Sequence, residues 1–309
     1  NDTSKYADAL AWAKKVKDSG EHALRTTYNS ALTTSAYSQI FIDQAQDKYD
    51  VKESMWEIEF KGDGSDGYGE TGRLGNNNGI TMTGAALQAS IGYSYGFVKG
   101  TARLYRAYSN LDKRRDWVLA PFKYNNTTGV KTNYAATVVY GRDCGKWRRE
   151  FELSTNKHKN NTAINFPVLR YADVLLMFAE AENQVNGPTA AAYDAVNQVR
   201  RRGFGLPIAT PSTVSDLTTG LSKADFQLAI EKERMLELCF EGTRHYDLIR
   251  WGKYVSTMNA VGLEIEAGGG TSDSYGKTGG KNVTTRNLLY PIPTLELSIN
   301  KNLTQNEGW

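Results

Sequence analysis

The sequence predicts a mainly α-helical protein, with helical hairpins as a scaffold and an irregular, loop-rich insertion containing a few short strands. Three observations carry that prediction. In Ser222 to Tyr254 (SKADFQLAIEKERMLELCFEGTRHYDLIRWGKY), Phe226, Ala229, Ile230, Leu236 and Phe240 fall on one face at about 100° per residue, with Ser222 as N-cap and Asp225 as its capping-box partner. The run VLRYADVLLMFAEAENQV is apolar nearly all round, the pattern of a helix buried among others. Earlier in the chain, KGDGSDGYGETGRLGNNNG is so dense in Gly, Asn and Asp that it reads as loop.

Taken in order, Tyr6 to Ser19 reads as a helix, with Ala9, Trp12, Ala13 and Val16 at i, i+3, i+4 and i+7 and Gly20 as a C-cap. The small residues in that stripe suit close helix packing. After Tyr37, SQIFIDQAQDKYD is a short helix. MWEIEF then alternates as a strand, Met55, Glu57 and Glu59 facing one way and Trp56, Ile58 and Phe60 the other. The Gly-rich run behind it fails as a calcium loop, because Ser65, Gly67 and Tyr68 stand where an EF-hand beginning at Asp63 needs Asp or Asn and then Gly. It fails as a phosphate loop because no Lys-Ser/Thr pair leads into a helix. Gly79 to Gly100 continues in loop style, with Tyr93, Tyr95 and Phe97 alternating; that aromatic face is either buried or open as a stacking surface. Thr101 to Tyr108 is a short helix, and LDKRRDWVLAPFKY follows with Trp117 among charges.

Lys123 to Phe151 reads as hairpins: Asn125, Asn126 and Gly129 supply the turn, and TNYAATVVYG is β-rich. The buried helix begins behind Pro167 and ends at Gly187 and Pro188, TAAAYDAVNQVRRR is its return helix, and Leu206 to Leu221 is a Pro/Thr/Ser linker. Gly242 breaks the next helix, and Thr243 caps another that carries Leu248, Ile249 and Trp251 with Arg244, His245 and Arg250 among them. EAGGGTSDSYGKTGGKN reads as an exposed loop around Tyr275. Pro291 and Pro293 then hold the chain extended before TLELSIN forms a closing helical turn.

Composition bounds the function. With 309 residues, 40% hydrophobic and 23% charged, the chain can bury a core. A net charge of +3 from 37 basic and 34 acidic residues leaves no field that argues for nucleic acid or anionic lipid. No stretch approaches the roughly 20 apolar residues of a membrane span, and Asn1 begins without the regions of a signal peptide. Eighteen Tyr, six Trp and 29 Gly beside seven Pro suit recognition loops. Cys239, within the capped helix, reads as a buried thiol and Cys144 lies in a Gly-flanked loop; nothing supports a bridge between them. His22, His158 and His245 are too scattered for a metal triad, and no GxSxG occurs, so neither a metal site nor a cofactor is expected.

Glu233 and Glu237 sit on the apolar face of their helix, where an isolated carboxylate costs several kcal/mol unless paired. We expect a buried Arg/Glu network in which Arg170 or Arg200 reaches Glu233 or Glu237. The rival reading is a glycosidase pair, which needs two carboxylates about 5–9 Å apart in an open cleft; the apolar surroundings speak against it, and we read the chain as a non-enzyme.

The run EKERMLELCFEGTRHYDLIRWG resembles the ER-x-x-EL-x-FEG-x-R-x-x-DL-x-RWG signature of the SusD/RagB family, outer-membrane glycan-capture lipoproteins of Bacteroidetes. Two further runs agree in order: FPVLRYADVLLMFAEAENQVNG with AVNQVRRRGF behind it, and LLYPIPTLELSINKNLTQNEGW, similar to the family's YPIP and QN-x-G-[YW] ending. His245 stands where the family commonly has Trp. The D-x-RR run resembles another family segment, so Arg114 and Arg115 are expected to be structural ion-pair partners.

The resemblance implies tetratricopeptide-like hairpins and a single SusD-like domain over 1–309 that lacks its N-terminal part: a helical hairpin remnant at 1–48, an irregular ligand-binding insertion at 49–165 and a helical scaffold at 166–309. The signal peptide, lipid-bearing Cys and first hairpins of the family are expected to precede Asn1. It further implies an extracellular, lipid-anchored outer-membrane protein that captures a glycan without cleaving it and delivers it to a TonB-dependent SusC-like transporter. Rings would stack on sugar C–H faces while polar groups bond hydroxyls. The ligand-binding candidates are Tyr68, Asn77, Tyr93, Tyr95, Trp117, Tyr124 and Tyr275. Two alternatives stand beside this: a peptide-binding importer subunit of the same family, and a helical scaffold without a small ligand, which predicts buried aromatics.

Overall fold

A computed structural model of the chain describes residues 2–61, 72–155, 157–268 and 274–309. In order, its regular elements are α1 (Tyr6–Asp18), α2 (Ala36–Ala45), β1 (Ser54–Ile58), α3 (Leu74–Asn78), α4 (Ala102–Ala107), α5 (Arg115–Val118), β2 (Phe122–Tyr124), β3 (Lys131–Asn133), β4 (Phe166–Arg170), α6 (Tyr171–Asn186), α7 (Ala190–Phe204), α8 (Lys223–Glu237), α9 (Arg244–Arg250), α10 (Tyr254–Ala267), α11 (Ser274–Lys281) and α12 (Thr294–Ile299). The expected mainly helical architecture is present, with only short strands between helices. The chain forms two units, Asp2–Gly242 and Thr243–Trp309.

In the first unit α6 is the central helix, packed against α1, α7 and α8. Its all-round apolar sequence has this cause: Val174, Leu175, Leu176, Phe178 and Ala179 are all buried, with Val196 and Val199 of α7 and Phe226 and Ile230 of α8 against them. Of the predicted N-caps Ser222 holds, whereas Thr243 takes a helical conformation and makes no side-chain cap bond. Ser222 Oγ accepts from the Asp225 amide, Thr189 Oγ1 accepts from Ala192, and Gly187 and Gly205 close α6 and α7 at φ of 85° and 74°. In α1 the inward stripe is Leu10, Ala13 and Val16 rather than one containing Trp12, which is 67% exposed.

A second core gathers Tyr37, Ile40 and Phe41 of α2 with Trp147, Ile164, Leu236 and Cys239. Every residue of α2 is buried, so this short helix runs through the protein's interior. VLR, expected to open the helix behind Pro167, instead completes strand β4, antiparallel to β1. In a two-stranded sheet Pro167 can lie opposite Glu57 without its missing N–H breaking an inner ladder. The β-rich reading of TNYAATVVYG shrinks to β3, paired with β2 across the Asn125–Gly129 turn. There the Asn125 side chain accepts from the Thr127 and Thr128 amides, and Gly129 takes φ 73°.

In the second unit, α10 and α11 form a pair where the sequence reads as loop. Gly262 and Gly280 make this possible: a Cβ on Gly280 would lie 2.8 Å from Gly262 Cα, so the two backbones touch where only glycine fits. The C-terminal motif is likewise a set of backbone clasps. Gln305 accepts from the Ile292 amide at 2.8 Å and donates to its carbonyl at 3.0 Å, while Trp309 Nε1 donates to the carbonyls of Arg286 and Leu289. His245 packs its ring against Tyr254 at 4.6 Å and Tyr246 at 5.4 Å, an aromatic packing role without an indole.

Candidate functional site

The expected Arg/Glu network lies at the centre of the first unit. Glu233 and Glu237 are both 0% exposed, one turn apart on α8. Arg114 Nη1 reaches Glu233 at 2.6 Å and Glu237 at 3.0 Å; Arg170 reaches Glu237 at 3.0 Å; Arg200 reaches Glu233 at 3.0 Å. Sequence reasoning missed Glu53, Lys146, Arg202 and Glu241, which complete it. Glu53 and Lys146 sit in segments without charge periodicity, so nothing local announces them. Phe240, at φ 65°, and Gly242, at φ 81°, turn the chain after α8 and bring the Glu241 carboxylate back to Arg170 and Lys146. Gly203 admits the Arg114 guanidinium, since a Cβ there would meet Nε at 2.3 Å.

Burial by itself raises the Glu237 carboxyl, but Arg202, Arg170, Arg114 and Lys146 outweigh it and hold the group at about 2. Glu237 is therefore ionised, and both glutamates are paired with arginines and out of reach of solvent. That is an architectural ion cluster, and the open cleft a glycosidase pair requires is not there.

A different surface has the character of a binding site. Residues 93–97 form a segment held on both edges: Tyr93, Tyr95 and Phe97 donate their amides to the carbonyls of Lys157, Asn76 and Asn77, all at 2.8 Å, and Ser94 exchanges two bonds with Met82. Alternation turns Ser94 inward at 0% exposure and sends Tyr93 and Tyr95 to the other side; past the left-handed Gly96, the Phe97 ring stacks against Tyr95. Gly92, at φ 96°, precedes the row and Gly96, at φ 62°, lies within it between Tyr95 and Phe97; side chains there would run into Arg149 and Thr81. Beneath it Arg149, 3% exposed, donates to the Tyr93 and His158 carbonyls and pairs with Glu152.

The three rings are ordered. Tyr93 meets Tyr95 edge-on at 5.0 Å, and Tyr95 stacks on Phe97 at 4.8 Å with planes 7° apart. A stacked ring offers its neighbour the face it would otherwise offer a ligand. The outer face of Phe97, 67% exposed, is therefore the platform of the row, and the tyrosines stiffen it. Desolvation, then Tyr95, holds the Tyr93 phenol above its ordinary value, so it stays a neutral donor.

The seven predicted residues do not form one patch. Tyr93 and Tyr95 share the row, and half-buried Asn77 supports it through its backbone carbonyl. Trp117 is a correction: it is 7% exposed, packed in the second core with the Arg148 guanidinium 3.9 Å over its ring. Tyr124 is a second, 9% exposed, its hydroxyl bonded to Glu150 at 2.9 Å and its ring 5.3 Å from Phe122. Both sit in sequence beside charges or turns, which suggested exposure. Tyr275 is 93% exposed but belongs to the unit Thr243–Trp309, and Tyr68 lies outside the described residues. Phe97, absent from the predicted set, was legible in the same alternation.

A helical scaffold that displays an ordered aromatic row on an irregular segment defines the class, a SusD-like protein. The SusD family model matches residues 52–309, and the chain belongs to that family. It is 36% identical over 153 residues to SusD-like protein P25 of Formosa agariphila, covering 50% of this chain and 26% of that protein. A crystal structure of a SusD homolog from Bacteroides thetaiotaomicron superposes at a TM-score of 0.84 with 30% identity, over 100% of this chain and 60% of that one. Surface glycan-binding protein A from Bacteroides thetaiotaomicron, in complex with laminarihexaose, shares the fold at a TM-score of 0.65 and 22% identity, over 99% of this chain and 60% of that one. The chain thus spans less than two thirds of the length of each of these relatives.

Proposed function

We propose that this chain belongs to a glycan-capture protein that binds without cleaving, using the face of Phe97 as a sugar platform with the Tyr93 and Tyr95 hydroxyls beside it. The ordered aromatic row, two half-buried tyrosines ending in the exposed Phe97, is the observation that carries this reading. Flat apolar rings suit the C–H faces of sugars, and neutral hydroxyls suit their polar rims; such sites are weak singly and wet. Family membership and the laminarihexaose complex of a protein with the same fold support the ligand class. Family membership also supports the rest of the reading: an outer-membrane position through an N-terminal lipid, and delivery to a TonB-dependent SusC-like transporter. No helix among the described residues is long and apolar enough to cross a membrane.

The test is affinity electrophoresis through gels containing a panel of polysaccharides, with release of reducing sugar assayed alongside. Retardation by one glycan, weakened in Phe97→Ala and without sugar release, is expected. Retardation by none, with capture of a peptide library instead, would replace the glycan with a peptide ligand. Sugar release would overturn the non-enzyme reading.

A further inference from the structure

A glycan chain that runs along an aromatic surface needs ring faces laid side by side, one under each sugar that is held. Residues 93–97 present their rings differently. Tyr95 and Phe97 are parallel within 7° at a centroid distance of 4.8 Å, too close for two rings lying edge to edge in one plane, so each covers a face of the other. Tyr93 stands at 74° to Tyr95, 5.0 Å away. The three rings are therefore piled rather than tiled. Tyr93 and Tyr95 are half-buried, whereas Phe97 is 67% exposed and meets no other ring among the described residues. The pile thus has one free end, the outer face of Phe97.

The positions between the rings add no second platform. Ser94 is 0% exposed. At Gly96 the space a side chain would take is filled: a Cβ there would meet Asp143 Oδ1 at 2.9 Å and Lys99 Nζ at 3.0 Å. Those two groups form an ion pair, and Asp143 accepts from the amide and hydroxyl of Thr81 as well, which fixes the filler in place. The other exposed large rings of this unit, Trp12, Tyr28, Tyr49 and Trp56, come from α1, β1 and the segments beside them and make no ring contact with the row.

We infer that the row recognises a single pyranose ring, seated on the outer face of Phe97, and that the rest of a bound glycan chain gains no further aromatic platform. This rests on the glycan reading and narrows it, because the unit recognised is one sugar rather than a run of linked sugars. The experiment is calorimetric titration with glucose, galactose, mannose and xylose and with the linear hexasaccharide of each, on wild type and on Phe97→Ala. At least one monosaccharide is expected to bind with a Kd on the order of millimolar, as its few atoms allow. Its hexasaccharide should bind no more than about sixfold tighter, the statistical gain of offering the same ring several times. Phe97→Ala should weaken both by the same factor, about threefold or more. A hexasaccharide more than about tenfold tighter than its monosaccharide, and weakened in Phe97→Ala, would leave the glycan reading standing and overturn the single-ring inference, since tiled platforms multiply affinity with each added ring. Equal binding by wild type and Phe97→Ala, or binding of none of these sugars, would overturn the platform and the inference with it.

Discussion

Phe97 and Cys144 show opposite uses of a single side chain. Phe97 holds no part of the core, so Phe97→Ala should leave the melting temperature within a degree or two while weakening glycan retention several-fold, the loss of about 0.5–1.5 kcal/mol of aromatic contact. Equal retention by wild type and variant would remove the platform from the proposal. Cys144 is buried, and desolvation pushes its thiol up to about 12. The folded protein should therefore resist iodoacetamide at pH 8 and be alkylated at Cys144 only after denaturation; fast labelling of the native state would contradict its placement. The reading of Cys239 as a buried thiol holds as well, and both cysteines are free. Trp117 and Tyr124 were misread because neighbouring charges and turn residues in the sequence suggest solvent, whereas Arg148 and Glu150, from a later part of the chain, cover them.

Among elements, the well-signed helices were legible and the weakly signed ones were not. Capping residues, apolar period and a terminal glycine announce α1, α6, α7 and α8 because those signals are local. Helix α11 carries SYGKTGGK, a composition that reads as loop, and forms because contact with α10 repays the backbone entropy of its glycines. Gly262→Ala should accordingly cost about 1–3 kcal/mol, since its Cβ would meet the Lys281 amide nitrogen at 2.6 Å; thermal unfolding monitored by circular dichroism measures it. A Gly203→Ala change should cost as much by displacing Arg114, and a melting temperature unchanged in either variant would contradict the packing described.

For the molecule as a whole, the ion cluster ties distant segments together and sets a pH dependence. Glu237 sits at about 2 when folded and near 4.5 when free, so its contribution is fully present above the unfolded value and is lost as pH falls from about 4.5 through about 2. That difference corresponds to about 3 kcal/mol, and acid titration should show unfolding across this window. Glu237→Gln should destabilise by about 3–5 kcal/mol at neutral pH, because the arginines around it lose their counter-charge, and should flatten the acid transition. A variant as stable as wild type, with an unchanged transition, would show that the cluster does not govern acid stability. The helical class, the family, the Ser222 cap and the demand that Glu233 and Glu237 be paired were all legible along the chain, because each rests on short-range pattern or on the cost of burying a lone charge. Which cations meet them, that a Gly-rich segment packs as a helix, and which aromatic faces solvent can reach emerge from three-dimensional packing alone. Burial and ion pairing join residues more than a hundred positions apart, and nothing in the local pattern of a chain reports that distance.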